Sequence, residues 1–108
     1  MAPRTAIAIT LAAIMFAPAV MAQDLPLEVV NDTSFDLDEV YASLSGSGQW
    51  GDNLLGAGFL PQGNRAAVTI SDEGQNCVFD LRFVLSGGDA IEEKAVDICS
   101  AGSYTLND

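Results

Sequence analysis

Histidine is absent, Cys77 and Cys99 are the only cysteines, and fifteen residues are Asp or Glu; these facts decide most of the chemistry open to this chain. Without histidine there is no Ser-His-Asp triad, no Cys-His nucleophile and no imidazole metal ligand. The single lysine, Lys94, stands in an expected strand beside Glu92 and Glu93, a poor setting for an activated amine, so a Ser-Lys dyad is not expected. Glycine-rich phosphate loops, zinc spacings and dinucleotide fingerprints are missing. Two carboxylates across a cleft would suffice for glycoside hydrolysis, yet a chain this short leaves little room for a substrate cleft. The sequence is therefore read as non-enzymatic.

Calcium is the better chemical candidate, because a hard cation takes oxygen ligands from acidic loops. Asp36, Asp38 and Glu39 form one such group, and Asp72, Glu73 and Asn76 another. Neither follows the acid–spacer–glycine order of an EF-hand, and solvated loop acids are the plainer reading. The most distinctive local motif is Trp50-Gly51-Asp52-Asn53-Leu54-Leu55-Gly56. Asp52 is placed to cap a single helical turn, Leu54 and Leu55 to plug a core, and Gly56 to end the turn in the left-handed region. A lone Trp in a small domain belongs in the core, where it buries about 150–250 Å². The functional alternative is an exposed Trp50 gripping a sugar or an aromatic anchor of a partner, with Asp52 beside it. Asp80, mid-strand among apolar neighbours, is either a solvent-facing partner of Arg82 or a buried acceptor tying down the Trp50 loop.

Residues 1–22 read as an export signal. Arg4 supplies the positive end, Ala6 to Phe16 the apolar core, Pro18 a helix break, and Val20-Met21-Ala22 the cleavage site. The apolar core falls short of the roughly 20 residues a permanent membrane anchor needs. No cysteine follows the cleavage site to carry a lipid, and no twin-arginine pair is present. The expected location is the periplasm, with full secretion as the alternative. Cleavage leaves residues 23–108, an 86-residue single domain near the low end of independent folding. In an oxidising compartment Cys77 and Cys99 are expected to form a disulfide, contributing roughly 3 kcal/mol on the chain-entropy account. The exported part has three cations, Arg65, Arg82 and Lys94, against fifteen acids, a net charge of −12. That charge repels nucleic acid and anionic lipid surfaces. It serves solubility, or offers an acidic face to a basic partner.

Periodicity favours strands throughout the exported part. Strands are expected over 25–30, 38–44, 66–70, 77–85, 90–99 and 103–106, with turns at 31–34, 45–48 and 60–63 and a polar loop at 72–76. The clearest is the run in which Cys77, Phe79, Leu81, Phe83 and Leu85 alternate with Val78, Asp80, Arg82 and Val84. The fold predicted is all-β, a small antiparallel sandwich of about six strands with one short helical turn. A two-residue turn at Gly87-Gly88 pairs Phe79 with Val96 and Arg82 with Glu93, but leaves Cys99 on the wrong face for Cys77. A β-bulge between Lys94 and Cys99, or a bridge at a frayed strand end, resolves the conflict.

Val30-Asn31-Asp32-Thr33, Val40-Tyr41-Ala42-Ser43, Trp50 to Gly56, Leu60-Pro61-Gln62-Gly63, Cys77-Val78-Phe79-Asp80-Leu81-Arg82 and Val96-Asp97-Ile98-Cys99 together form a pattern. It resembles a family of small exported bacterial proteins of unknown function, over nearly the whole exported chain. Some of those relatives carry the label argininosuccinate lyase. That lyase is a far larger helical enzyme with sites between subunits, so the label implies no activity here. The resemblance implies fold and location and brings no catalytic residues. The function expected is a non-enzymatic β domain binding a protein or envelope component through the loops around Trp50 and Asp36 to Glu39. A calcium-binding or calcium-stabilised module is the alternative.

Overall fold

A computed structural model describes residues 22–72 and 74–108; the leader expected over 1–22 and Glu73 of the acidic loop lie outside the described residues, Ala22 apart. Among the described residues six strands, β1 (Gln23–Asp32), β2 (Leu37–Leu44), β3 (Arg65–Asp72), β4 (Val78–Leu85), β5 (Ala90–Asp97) and β6 (Ser103–Asn107), form two three-stranded sheets. One sheet has the order β3-β1-β6 and the other β2-β4-β5. The pairings are antiparallel except that of β1 with β6, which is parallel. A parallel neighbour needs a crossover, and here the chain reaches it by leaving the opposite sheet through a helical turn, α1 (Ile98–Ala101).

The alternation read from the sequence sets the core. Leu27 and Val29 of β1, Val68 and Ile70 of β3 and Leu106 of β6 meet Leu37 and Val40 of β2 and Phe79, Leu81, Phe83 and Leu85 of β4. Tyr104 reaches across from β6 to stack on Phe83, with ring centroids 5.2 Å apart. Each fully buried aliphatic or aromatic side chain contributes about 1.5–3 kcal/mol, and these residues carry the burial that a small domain can muster.

One inward position is polar. Asn31 follows Leu27 and Val29 on the inward face of β1 and is 0% exposed. Its amide donates to the carbonyls of Phe35 at 2.9 Å and Leu60 at 3.0 Å, and its oxygen accepts from the Thr33 amide and hydroxyl. With every polar atom paired, the burial is tolerated, and Asn31 ties the β1–β2 turn to the chain entering β3.

The β4–β5 hairpin differs from the register expected. Ser86, Gly87 and Gly88 form a three-residue loop closed by the Leu85 amide on the Asp89 carbonyl at 2.8 Å. Arg82 therefore faces Glu92 rather than Glu93. Past Leu81–Glu93 the register slips by one, and Phe79 faces Val96 as expected. The bulge holds Lys94 and Ala95, and Ala95 has φ 54°. It turns Val96 and Ile98 inward, where unbroken alternation would have sent Ala95 and Asp97. The strand then winds into α1, capped by the Asp97 side chain on the Ser100 amide and ended by Gly102 at φ 66°. Cys99 on that turn meets Cys77, with Cα atoms 5.3 Å apart, and the two are disulfide-bonded. Bulge and frayed end both contribute, and the short helix lies here rather than at Trp50 to Gly56.

Candidate functional site

The outer face of the β2-β4-β5 sheet carries the one concentration of aromatic and cationic side chains among the described residues. Outward positions alternate, so Glu39 and Tyr41 of β2 stand beside Val84 and Arg82 of β4, with Tyr41 opposite Arg82 and Arg82 opposite Glu92. Trp50 closes the row. Together Glu39, Tyr41, Trp50, Arg82 and Val84 line an open cleft of about 210 Å³.

Trp50 is not the core plug that its size suggested; it is half-buried and absent from the core cluster. The cause is the path of the chain after β2. Asp80, only 5% exposed, accepts from the Ser45 hydroxyl and the Gly46 amide, both at 3.2 Å, and from the Ala95 amide at 2.9 Å. It thus pins the turn after β2 and the β5 bulge together, which is the buried-acceptor role. The chain then doubles back along the edge of β2, where Leu54 donates its amide to the Val40 carbonyl at 2.8 Å. Leu54 and Leu55 pack against the core margin, which leaves Trp50 on the rim. The Lys94 ammonium sits 5.7 Å from the Trp50 ring centroid, a cation–π contact that braces the indole.

Asn53, not Asp52, does the capping. Its side-chain oxygen accepts from the Val40 and Leu55 amides at 3.0 and 3.1 Å, and its amide donates to the Gly56 carbonyl at 3.0 Å. The residue laid against the β2 edge is the one that can satisfy Val40 and turn the chain, and that residue is 53. Gly56 does take the left-handed conformation, φ 66°. Asp52 is exposed and borders a separate groove between the β2 and β3 edges, with Ala42, Leu54 and Ile70 among its walls. Trp50 lines both.

The charges of the cleft are paired unevenly. Tyr41 donates its hydroxyl to Glu39 at 2.8 Å, and that bond, ahead of burial and the Glu39 charge, raises the phenol above its ordinary pKa. Lys94 lies 3.4 Å from Glu92 and 3.9 Å from Asp80. Arg65, far away on β3, pairs with Glu28 at 3.1 Å. Arg82 alone of these three cations has no ion pair among the described residues, and its Nε is buried without an acceptor.

Among the described residues the calcium candidates Asp36, Asp38 and Glu39 do not assemble into one group. Asp38 and Glu39 lie in β2, where the pairing slips by one between Leu37 and Glu39. Asp36 accepts from the Gln62 amide at 3.4 Å. Among the described residues the one cluster of three metal-type ligands is Cys77, Asp97 and Cys99, and its two sulfurs are bonded to each other. Asp72 is held by Asn76 and Gln23, and its carboxyl lies below its ordinary pKa chiefly through the Asn76 amide.

Sequence reasoning named Trp50 and Glu39 but missed Tyr41, Arg82 and Val84 as their neighbours. The signal was there in the outward positions of two strands, but only the β2–β4 pairing makes them adjacent. Compared with known proteins, the chain matches no protein-family model, no curated sequence and no solved structure.

Proposed function

We propose that this chain is an exported, non-enzymatic binding module, active in the periplasm, whose contact face is the outer surface of the β2-β4-β5 sheet around Trp50. The observation that carries this reading is that the only tryptophan stands outside the core, on the rim of a cleft with Tyr41 and Arg82. Tryptophan, tyrosine and arginine are the side chains that dominate binding hot spots. The leader over 1–22 and the Cys77–Cys99 disulfide support export, since such bonds persist in oxidising compartments. The motif pattern supports placing the chain with small exported bacterial proteins.

The partner is a protein or an envelope component that tolerates a strongly acidic neighbour; the net charge argues against nucleic acid. The test is in-cell photocrosslinking from position 49, next to Trp50, compared with position 67 on the other sheet. Capture from position 49 that vanishes on Trp50→Ala, with the melting temperature moving by only a few degrees, is the expected result. Equal capture from both positions, or capture untouched by Trp50→Ala, overturns the reading.

A further inference from the structure

Arg82 has no ion pair among the described residues, in a protein that is otherwise crowded with acids. The strand register places two carboxylates beside it on this face, and neither forms an ion pair with it. Glu39, one row along the same face, takes the Tyr41 hydroxyl at 2.8 Å. Glu92, directly opposite in register, turns to Lys94 at 3.4 Å. Its buried Nε has no acceptor among the described residues, an unmade hydrogen bond that costs free energy, and the planar fork of a guanidinium matches a carboxylate in a bidentate pair. Arg82 and Lys94 are two of the three cations of the exported chain, and they flank Trp50 on this one face.

The cleft is also small. At about 210 Å³ it falls below the range of roughly 300–1,000 Å³ typical for drug-sized ligands, a size that suits a single ring seated in it. Aromatic walls from Trp50 and Tyr41 and the apolar Val84 suit the flat face of such a ring.

The geometry points to a ligand-binding site for one ring bearing a carboxylate, the ring against Trp50 and Tyr41 and the carboxylate on Arg82. This deepens the binding-module reading and rests on it. Such a group comes from an acidic sugar or from an aromatic acid, and both present the same chemistry to Arg82. Glu39, held by Tyr41, stands ready to accept from a ring hydroxyl, a contact that an acidic sugar can use and an unsubstituted aromatic acid cannot.

Because Trp50 is the only tryptophan, its fluorescence reports the cleft directly. The purified exported chain is titrated with glucuronate, galacturonate, benzoate and, as the neutral control, glucose. The expected result is a saturable change with one or more of the carboxylates, half-complete on the order of 1 mM for so small a ligand, and none with glucose. Arg82→Gln weakens it at least ~10-fold; Arg82→Lys, which keeps the charge and loses the fork, weakens it by less. Glu39→Gln weakens a uronate and spares benzoate, which separates the two sources. Melting curves for each variant confirm that the fold survives. A flat titration with all three carboxylates, an equal response to glucose, or an Arg82→Gln protein that responds like the native one overturns the proposal. In those cases crosslinked capture at position 49 still stands or falls by itself, so the two readings fail separately.

Discussion

Asp80 shows how one carboxylate can organise two distant pieces of chain. The Ala95 amide, then the Gly46 amide and the Ser45 hydroxyl hold it below its ordinary value of 3.8, outweighing the opposite push of its burial. A carboxyl whose folded pKa is depressed stabilises the fold fully above the unfolded value and loses that contribution as pH falls through the folded one. The native protein should therefore lose melting temperature as pH drops below about 4. Asp80→Asn should lower the melting temperature by several degrees near pH 7, since the amide cannot accept from both backbone donors. It should also flatten the acid slope, leaving the share that belongs to Asp72 and Asp108, whose carboxyls are likewise lowered. Melting curves of both proteins from about pH 7 to pH 3 check this, and an unchanged slope would show that Asp80 contributes nothing there. In the sequence Asp80 stood between two roles, because inward and outward positions on β4 are both flanked by apolar residues. What decided between them was the chain folded over it, which no local pattern reveals.

At the scale of elements, the bulge in β5 is the device that reconciles the strand with its end. Ala95 adopts φ 54°, a conformation that costs an L-residue about 1–2 kcal/mol. Ala95→Gly should relieve part of that, raising stability by up to ~1 kcal/mol, whereas Ala95→Val should lower it by about 1–2 kcal/mol. Urea unfolding of the pair reads the difference, and a valine variant as stable as the native protein would mean the strain is absent. The need for a bulge or a frayed strand end was legible from Cys77 and Cys99 taken with Phe79 and Val96, since no single register serves both the Phe79–Val96 pair and the disulfide. Its place at Ala95 was not, because the hairpin loop closes at Leu85 and Asp89 and shifts the outer pairs by one. Strands and core were legible for the reason that β1, β2 and β4 each have one face against the opposite sheet, so alternation is enforced. The site was only half legible. Trp50 announced itself by size, but its distance from the core follows from Asn53 holding the edge of β2, and asparagine and aspartate look alike as caps.

For the whole molecule, the disulfide joins Cys77, just ahead of β4, to the turn that carries the chain from one sheet to the other, across 22 residues. Reduction, or replacement of both cysteines by serine, should cost about 3 kcal/mol. That corresponds to a fall in melting temperature on the order of 15 °C for a domain of this size. Melting with and without reductant measures it, and a shift of only a degree or two would assign the staple a minor part. The parallel pairing of β1 with β6 bears on a different property, the speed at which the molecule assembles. The strand that opens the chain's β-structure must wait for the strand that closes it, while only β4 and β5 are joined by a tight hairpin. Contacts so remote in sequence pay loop-closure entropy before any reward and fold in milliseconds to seconds. Until β6 docks, β1 has a bare edge, and the inward faces of Leu106 and Tyr104 are missing from the core. The docking of β6 is thus the step that covers this edge of β1, and the time it takes sets how long that edge stays open to pairing with other chains.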